Sequence, residues 1–164
     1  MRRDLFGSLL LLLIVALLVL RPWENDAGAE PAAATAVVTR VVDGDTIEAR
    51  VGDEVEDVRL IGVDTPETVK PGEPVQCFGL KASHFTERQL AGEHVRLVFG
   101  VERRDVYGRL LAYLYRDDRL FNSVLVRRGL ARALTIPPND RYARLFGRLE
   151  LSAARAARGL WGAC

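Results

Sequence analysis

The sequence of 164 residues carries 23 basic and 22 acidic side chains, which gives a formal net charge of +1. This near-neutrality excludes a histone-like protein that binds nucleic acid through its overall charge, although it still allows a local basic cleft. Charged residues make up 27% of the chain, which excludes a wholly disordered protein. If an N-terminal segment serves for export, the rest of the chain is long enough for one domain of ordinary size and too short for two.

The N-terminus has the pattern of a secretory signal. Arg2 and Arg3 precede a largely apolar segment, residues 5–20, and Ala27-Gly28-Ala29 supplies small residues suited to cleavage. A stable membrane-spanning helix needs about 20 apolar residues, so a cleaved signal is favoured over an uncleaved anchor. Both alternatives place the domain outside the cytoplasm.

Composition divides the chain into three parts. We assign residues 1–29 to the signal peptide or N-terminal membrane anchor, 30–36 to a linker rich in alanine, and 37–164 to the folded domain. Within the domain, runs of β-branched and apolar residues bounded by turn residues predict five strands. These are Val37–Val42, Thr46–Val51, Val58–Val63, Val95–Val101 and Leu110–Tyr115.

Apolar residues at helical spacing predict three helices. The first covers Phe78–Leu90, the second begins at an Asn122 cap and ends at Gly129, and the third covers about Asp140–Arg158. Strands followed by interspersed and terminal helices indicate a small α+β domain built on an antiparallel sheet or barrel.

Several charged residues at predicted turns have side chains that suit phosphate chemistry. Asp45 and Asp64 offer hard oxygen ligands for a divalent cation, while Arg59 and Arg109 can each grip a phosphate with two nitrogens. Glu67 is then a carboxylate close to the metal and to a water molecule. Taken singly, each fragment is more typical of an ordinary turn, and only their combination favours a site. Strand alternation places Arg59 and Asp64 on opposite faces, so they converge only if the chain twists or bends.

Cys77 and Cys164 are the only cysteines, and neither lies in a CxxC or Cys/His cluster typical of a zinc site. In an exported domain, an even number of cysteines predicts that the two form a disulfide. Two independent thiols are the alternative.

Four blocks of sequence resemble the staphylococcal (micrococcal, or thermonuclease) nuclease family. They occur in the family's order and together cover about Val37 to Trp161. The blocks are Val42-Asp43-Gly44-Asp45-Thr46, Arg59-Leu60-Ile61-Gly62-Val63-Asp64-Thr65-Pro66-Glu67, Asp105-Val106-Tyr107-Gly108-Arg109 and Leu125-Val126-Arg127-Arg128-Gly129-Leu130-Ala131.

The resemblance implies an OB-fold-like five-stranded β-barrel with three α-helices. It also implies Ca²⁺-dependent hydrolysis of phosphodiester bonds in DNA and RNA, with 3′-phosphorylated products, by a protein that we expect to be monomeric. By the same resemblance, Asp45 and Asp64 correspond to the Ca²⁺ carboxylates, and Thr65 to a ligand through its backbone carbonyl.

The remaining roles also follow from the resemblance. Arg59 and Arg109 correspond to the pair that binds the phosphate and stabilises its charge. Glu67 corresponds to the residue that orients or deprotonates the attacking water, and Tyr107 to a residue that contacts the substrate phosphate.

Two departures from the family pattern concern substrate binding. Val106 stands where the family usually has a lysine, and Ala133-Leu134-Thr135-Ile136 replaces a tyrosine-bearing stretch that helps to stack a base. Two further hypotheses compete with a secreted nuclease. One is a catalytically inactive OB-like module that binds nucleic acid or protein, and the other is a membrane-anchored scaffold.

Overall fold

Eight strands form the framework of the domain in the computed structural model, which describes residues 31–68, 72 and 74–164. The predicted signal or anchor, residues 1–29, lies outside the described residues and stays a prediction. The strands are β1 Ala33–Val41, β2 Thr46–Val51, β3 Glu54–Leu60, β4 Val63–Asp64, β5 His94–Arg104, β6 Leu110–Arg116, β7 Arg119–Leu120 and β8 Arg132–Ala133.

Five of these strands close into a barrel, as the sequence predicted. The order is β3-β2-β1-β5-β6 with antiparallel neighbours, and a parallel pairing of β3 with β6 closes the circle. That pairing runs from Val58 opposite Leu110 to Leu60 opposite Ala112. Closure removes the unpaired edges that an open sheet of this size would expose. The short strands β4 and β8 pair separately and hold the loops beside the barrel.

The barrel interior is filled by alternate strand residues, as the period-2 pattern requires. The largest fully buried side chains of the strands are aliphatic, and Phe146 from a helix packs with them. Removing this apolar surface from water is the main favourable contribution to folding. The strand members are Val38, Ile47, Val58, Leu60, Val63, Leu97 and Leu114.

Three helices of two or more turns pack around the barrel, in agreement with the prediction. They are α1 Gly79–Leu90, α2 Phe121–Arg127 and α3 Ala143–Arg155, and a single-turn helix, α4 Leu160–Ala163, follows. Among the described residues, none of the helices is long and apolar enough to cross a membrane.

The predicted role of Asn122 as a helix cap is wrong. Leu120 precedes the first residue of α2, and Asn122 lies fully buried within the first turn. Its side-chain oxygen accepts a bond from the Leu114 N–H at 3.0 Å, and its amide donates to the Ile61 carbonyl at 2.8 Å. The side chain satisfies backbone groups of two other segments, because buried polar groups need partners.

The first strand begins earlier than predicted. It starts at Ala33, so residues 33–36 of the predicted linker lie in β1, where Ala33 pairs with Val98 of β5. Alanine has a low strand propensity, and pairing with β5 overrides that preference.

A disulfide joins Cys77, two residues before α1, to Cys164, with their Cα atoms 6.0 Å apart. This agrees with the pairing predicted from the sequence. The same C-terminal segment packs against the end of α2, where the Leu160 N–H donates to the Gly129 carbonyl at 2.8 Å.

Candidate active site

The Asp43–Asp45 turn between β1 and β2 is held by the barrel on one side and by α1 on the other. The N–H groups of Val42 and Asp43 donate to the Thr46 carbonyl, and the buried Thr86 hydroxyl of α1 donates to the Gly44 carbonyl at 2.7 Å. A Cβ atom at Gly44 would lie only 2.7 Å from the Thr65 side chain. The turn therefore approaches Thr65 as closely as a glycine allows.

Asp45 is buried and makes several contacts. Its Oδ2 accepts bonds from the Thr65 N–H at 2.7 Å and the Thr65 hydroxyl at 3.0 Å, and its Oδ1 accepts one from the Thr46 hydroxyl at 3.2 Å. The Arg59 Nη2 lies 3.2 Å from Oδ2. These contacts fix the carboxylate between two loops that are 20 residues apart in sequence.

A bend after β3 brings Arg59 and Asp64 together. The strand ends at Leu60, Gly62 has a positive φ of 80°, and β4 then begins at Val63. Arg59 Nη1 donates to the Leu60 and Val63 carbonyls at 2.8 Å each, and Nη2 lies 3.3 Å from the Asp64 carboxylate. The structure thus supplies the bend that convergence of these two residues requires.

Arg109 is oriented by Asp105, a residue to which the sequence analysis gave no role. The Asp105 carboxylate accepts a 2.7 Å bond from Arg109 Nε and also accepts the N–H groups of Tyr107 and Arg109 at 3.0 Å. The Arg109 guanidinium lies 5.4 Å from the Tyr107 ring centroid. The position of Asp105 at the start of the Asp105–Arg109 block was the sequence signal that could have identified it.

Arg59 and Arg109 line one cleft of about 340 Å³, together with Tyr107. Leu134 and Ile136 form part of the same wall and are 37% and 61% exposed. They belong to the segment that replaces the family's tyrosine-bearing stretch. The cleft therefore combines two guanidinium groups with an aliphatic surface.

Glu67 follows Asp64 in a loop that Gln76 braces. The Glu67 N–H donates to the Gln76 side-chain oxygen at 3.1 Å, and the Gln76 N–H donates to the Glu67 carbonyl at 2.9 Å. The Glu67 carboxylate accepts the Thr68 N–H at 2.8 Å. Asp64 and Gln76 line a smaller cavity of about 190 Å³ with Arg132.

Comparison with known proteins places these features in a family. A family model described as "Staphylococcal nuclease homologue" matches residues 57–163, which include Arg59, Asp64, Glu67 and Arg109. The chain belongs to the staphylococcal nuclease family. This confirms the resemblance inferred from the four sequence blocks.

Named relatives support a nuclease function. A protein named "Thermonuclease" from Staphylococcus intermedius is 40% identical over 166 residues, covering 98% of this chain and 99% of that protein. A second "Thermonuclease", from Staphylococcus hyicus, is 43% identical and covers 76% of this chain and 73% of its own. The "SPbeta prophage-derived endonuclease YokF" of Bacillus subtilis is 40% identical over 74% of this chain and 42% of its own.

Asp43 is a further buried carboxylate beside the candidate site. Burial, and next the negative charge of Asp45, raise the pKa of Asp43 to about 6, although a bond from the Asp45 N–H acts in the opposite direction. Asp43 is not among the site residues predicted from the sequence. An Asp-Gly-Asp turn followed directly by a buried strand was the signal that could have identified it.

The predicted Ca²⁺ donors fit the chemistry of this cation. Residues 31–68, 72 and 74–164 contain no cluster of three or more His, Cys, Asp or Glu side chains suited to a metal ion. The predicted set consists instead of two carboxylates, Asp45 and Asp64, and the Thr65 carbonyl. Both carboxylates contact one nitrogen of Arg59, so they face a common small volume. Oxygen donors with carboxylate charge are those that Ca²⁺ prefers.

Proposed function

We propose that the protein is a Ca²⁺-dependent endonuclease that hydrolyses phosphodiester bonds of DNA and RNA and leaves 3′-phosphorylated products. The nuclease class is supported by the relatives named thermonuclease and endonuclease. One observation carries the rest of the proposal. Arg59 contacts two carboxylates, Asp45 and Asp64, and also lines the cleft that contains Arg109.

The metal donors in this proposal are the side chains of Asp45 and Asp64 and the Thr65 carbonyl. Few protein ligands leave coordination positions for a phosphate oxygen and for water, so bound Ca²⁺ would supply positive charge beside the scissile phosphate. Thr65 has a second role in this arrangement, because its N–H and hydroxyl hold the Asp45 carboxylate in place.

The two arginines stabilise negative charge on the phosphate oxygens in the transition state. Each is held before substrate binds, Arg59 by the Leu60 and Val63 carbonyls and Arg109 by Asp105. Donors fixed in this way need little reorganisation during the reaction, which is the basis of electrostatic preorganisation.

The oxygen of the attacking water bonds to phosphorus while Glu67 accepts its proton. The bond between phosphorus and the 5′-oxygen of the next nucleotide breaks, and that oxygen leaves and takes a proton from solvent. The phosphate then remains on the 3′ side. A positioned carboxylate base contributes about 10²–10⁴-fold to such a reaction. Tyr107, which is 81% exposed beside Arg109, contacts the substrate phosphate.

Activity measured with and without Ca²⁺ tests the proposal. We expect hydrolysis of single-stranded DNA and of RNA in Ca²⁺, its loss in a chelator, and 3′-phosphate ends by mass spectrometry. Asp45→Ala should abolish turnover, whereas Asp53→Ala, which changes an exposed turn carboxylate, should not. Near-normal Ca²⁺-dependent turnover in Asp45→Ala would refute the metal assignment. Binding without turnover in the unaltered protein would favour the inactive module.

We further propose that the protein acts outside the cytoplasm as a monomer. The signal pattern of residues 1–29 supports export, with anchoring through residues 5–20 if the signal is not cleaved. The Cys77–Cys164 disulfide is consistent with an oxidising compartment. N-terminal sequencing of the exported protein tests export and cleavage of the signal. Light scattering tests the monomeric state.

A further inference from the structure

An open groove of about 710 Å³ runs between α1, the end of α2 and the turn at Gly159. Five cationic side chains line it, and no carboxylate is among its lining residues in the part of the chain that the structure describes. We call it the basic groove. Its cations are Lys81, Arg88, Arg127, Arg128 and Arg158.

The charge of the basic groove is not neutralised by its surroundings. Within the described residues, no carboxylate oxygen lies within 4.0 Å of a charged nitrogen of these five side chains. Arginines elsewhere, such as Arg40, Arg104 and Arg116, do have acidic partners. In a chain of net charge +1, this concentrates positive potential on one face.

Aromatic rings in the groove hold cations in place. The Lys81 ammonium lies 4.9 Å from the Phe78 ring centroid, and the Arg128 guanidinium lies 4.9 Å from that of Phe85. Phe85 also stacks on Phe121 at 6.0 Å. Because the Phe85 ring is already in contact with Phe121 and Arg128, it is poorly placed to stack a nucleic-acid base. Cations thus lie against the rings of Phe78 and Phe85, and the cationic lining suits the groove to phosphates.

The groove leads toward the proposed active site. The 190 Å³ cavity that contains Asp64 also contains Cys77 and Leu160. Their sequence neighbours, Phe78 and Gly159, line the basic groove. Arg132 lies in the cavity and contributes a further cation between the two. The cavity and the basic groove are thus lined by adjacent residues of the chain, and both contain cationic side chains.

We propose that the basic groove is a second binding site that takes the sugar–phosphate backbone of the nucleic-acid strand extending from the active site. It contacts phosphates without reading sequence. This inference rests on the proposed function for the occupant, a nucleic acid, and for the position of the active site. It implies that long substrates bind more tightly than short ones of the same composition.

Binding of fluorescein-labelled oligothymidylate tests this inference in the presence of a chelator, which separates affinity from turnover. The probes are a 20-mer and a 3-mer, titrated with purified protein between 50 and 300 mM salt. The groove variant is Arg88→Ala/Arg128→Ala. Its matched control is Arg50→Ala/Arg144→Ala, which removes the same charge from exposed residues that do not line the groove.

We expect the groove variant to bind the 20-mer on the order of tenfold more weakly, and the slope of log affinity against log salt to fall by about 1.4, at about 0.7 per lost phosphate contact. Affinity for the 3-mer should not change, and the control should match the unaltered protein in both measurements. Circular dichroism confirms that each variant is folded.

Equal salt slopes for the groove variant and the control would overturn the inference, as would an equal loss of affinity for the 3-mer. Vesicles of phosphatidylglycerol provide a third measurement. Loss of vesicle binding in the groove variant with unchanged 20-mer affinity would assign the groove to a lipid surface and overturn it too. Ca²⁺-dependent hydrolysis of the 3-mer tests the proposed function separately, since the groove variant should retain it.

Discussion

Replacing Cys77 and Cys164 with serine removes a cross-link between residues 87 positions apart in sequence. In the chain-entropy model, a link that closes a loop of this length stabilises the folded state by about 4–5 kcal/mol, because it restricts the unfolded chain. Small domains are stable by about 5–15 kcal/mol, so the loss is a large share of the total. For a domain of about 130 residues it corresponds to a fall in Tm of about 15 °C.

Urea unfolding followed by circular dichroism measures this loss. The double serine variant is compared with the unaltered protein in its oxidised form and under reductant. The free energy of unfolding of the unaltered protein should fall under reductant by about the same amount as in the variant. The m-value should rise without the cross-link, because the unfolded chain exposes more surface. A difference below about 1 kcal/mol with an unchanged m-value would refute the loop-closure reasoning.

Three further predictions concern the proposed site. With the pKa of Asp43 raised to about 6 from 3.8, its charge costs stability as pH rises through 6. Asp43→Asn should therefore raise the free energy of unfolding in chelator by up to about 3 kcal/mol at pH 7.5, with little gain at pH 3.5. A pH-independent difference would show that burial and the charge of Asp45 do not raise this pKa. Arg59→Lys keeps the charge but loses the planar fork, so kcat should fall on the order of 10²-fold, whereas a change in KM alone would indicate a substrate-binding role. Gln76→Ala removes one hydrogen bond to the Glu67 backbone and should lower kcat about 2–10-fold with an unchanged KM in steady-state kinetics. A rise in KM alone would show that Gln76 does not position Glu67.

Much of the barrel could be predicted from local patterns. A run of β-branched and apolar residues bounded by turn residues predicted β2 at Thr46–Val51, and the apolar run Leu110–Tyr115 predicted β6 to within a residue. The parallel contact between β3 and β6 could not be derived in this way, because strand patterns do not encode which distant strand becomes a neighbour. The family resemblance supplied the barrel, and the structure agrees with it.

The roles of two polar residues, Asn122 and Asp105, could not be predicted from residue type. Asn122 looks like a helix cap locally, but the backbone groups it satisfies belong to Leu114, 8 residues away, and to Ile61, 61 residues away. Asp105 likewise looks like a turn residue until Arg109 is seen to donate to it. In both cases the partner, and not the residue type, determines the role, and partners emerge only from the fold.

Gly62 explains why Arg59 and Asp64 defied simple alternation. Its positive φ changes the direction of the chain between β3 and β4. A glycine can adopt this conformation, but the pattern of apolar residues does not show that it does. The need for a bend follows from the spacing of Arg59 and Asp64, and in the structure the bend lies at Gly62.

The disulfide also determines what a single proteolytic cut can do. Every peptide bond between Cys77 and Cys164 lies within the cross-linked loop, so one cleavage there leaves both fragments covalently attached. Asp45, Arg59 and Glu67 precede that loop, whereas Arg109 lies inside it. A molecule nicked at one of the loop's arginines by a trypsin-like protease would therefore keep all of its proposed catalytic residues on one covalent particle. The nick would be visible on a gel only after reduction.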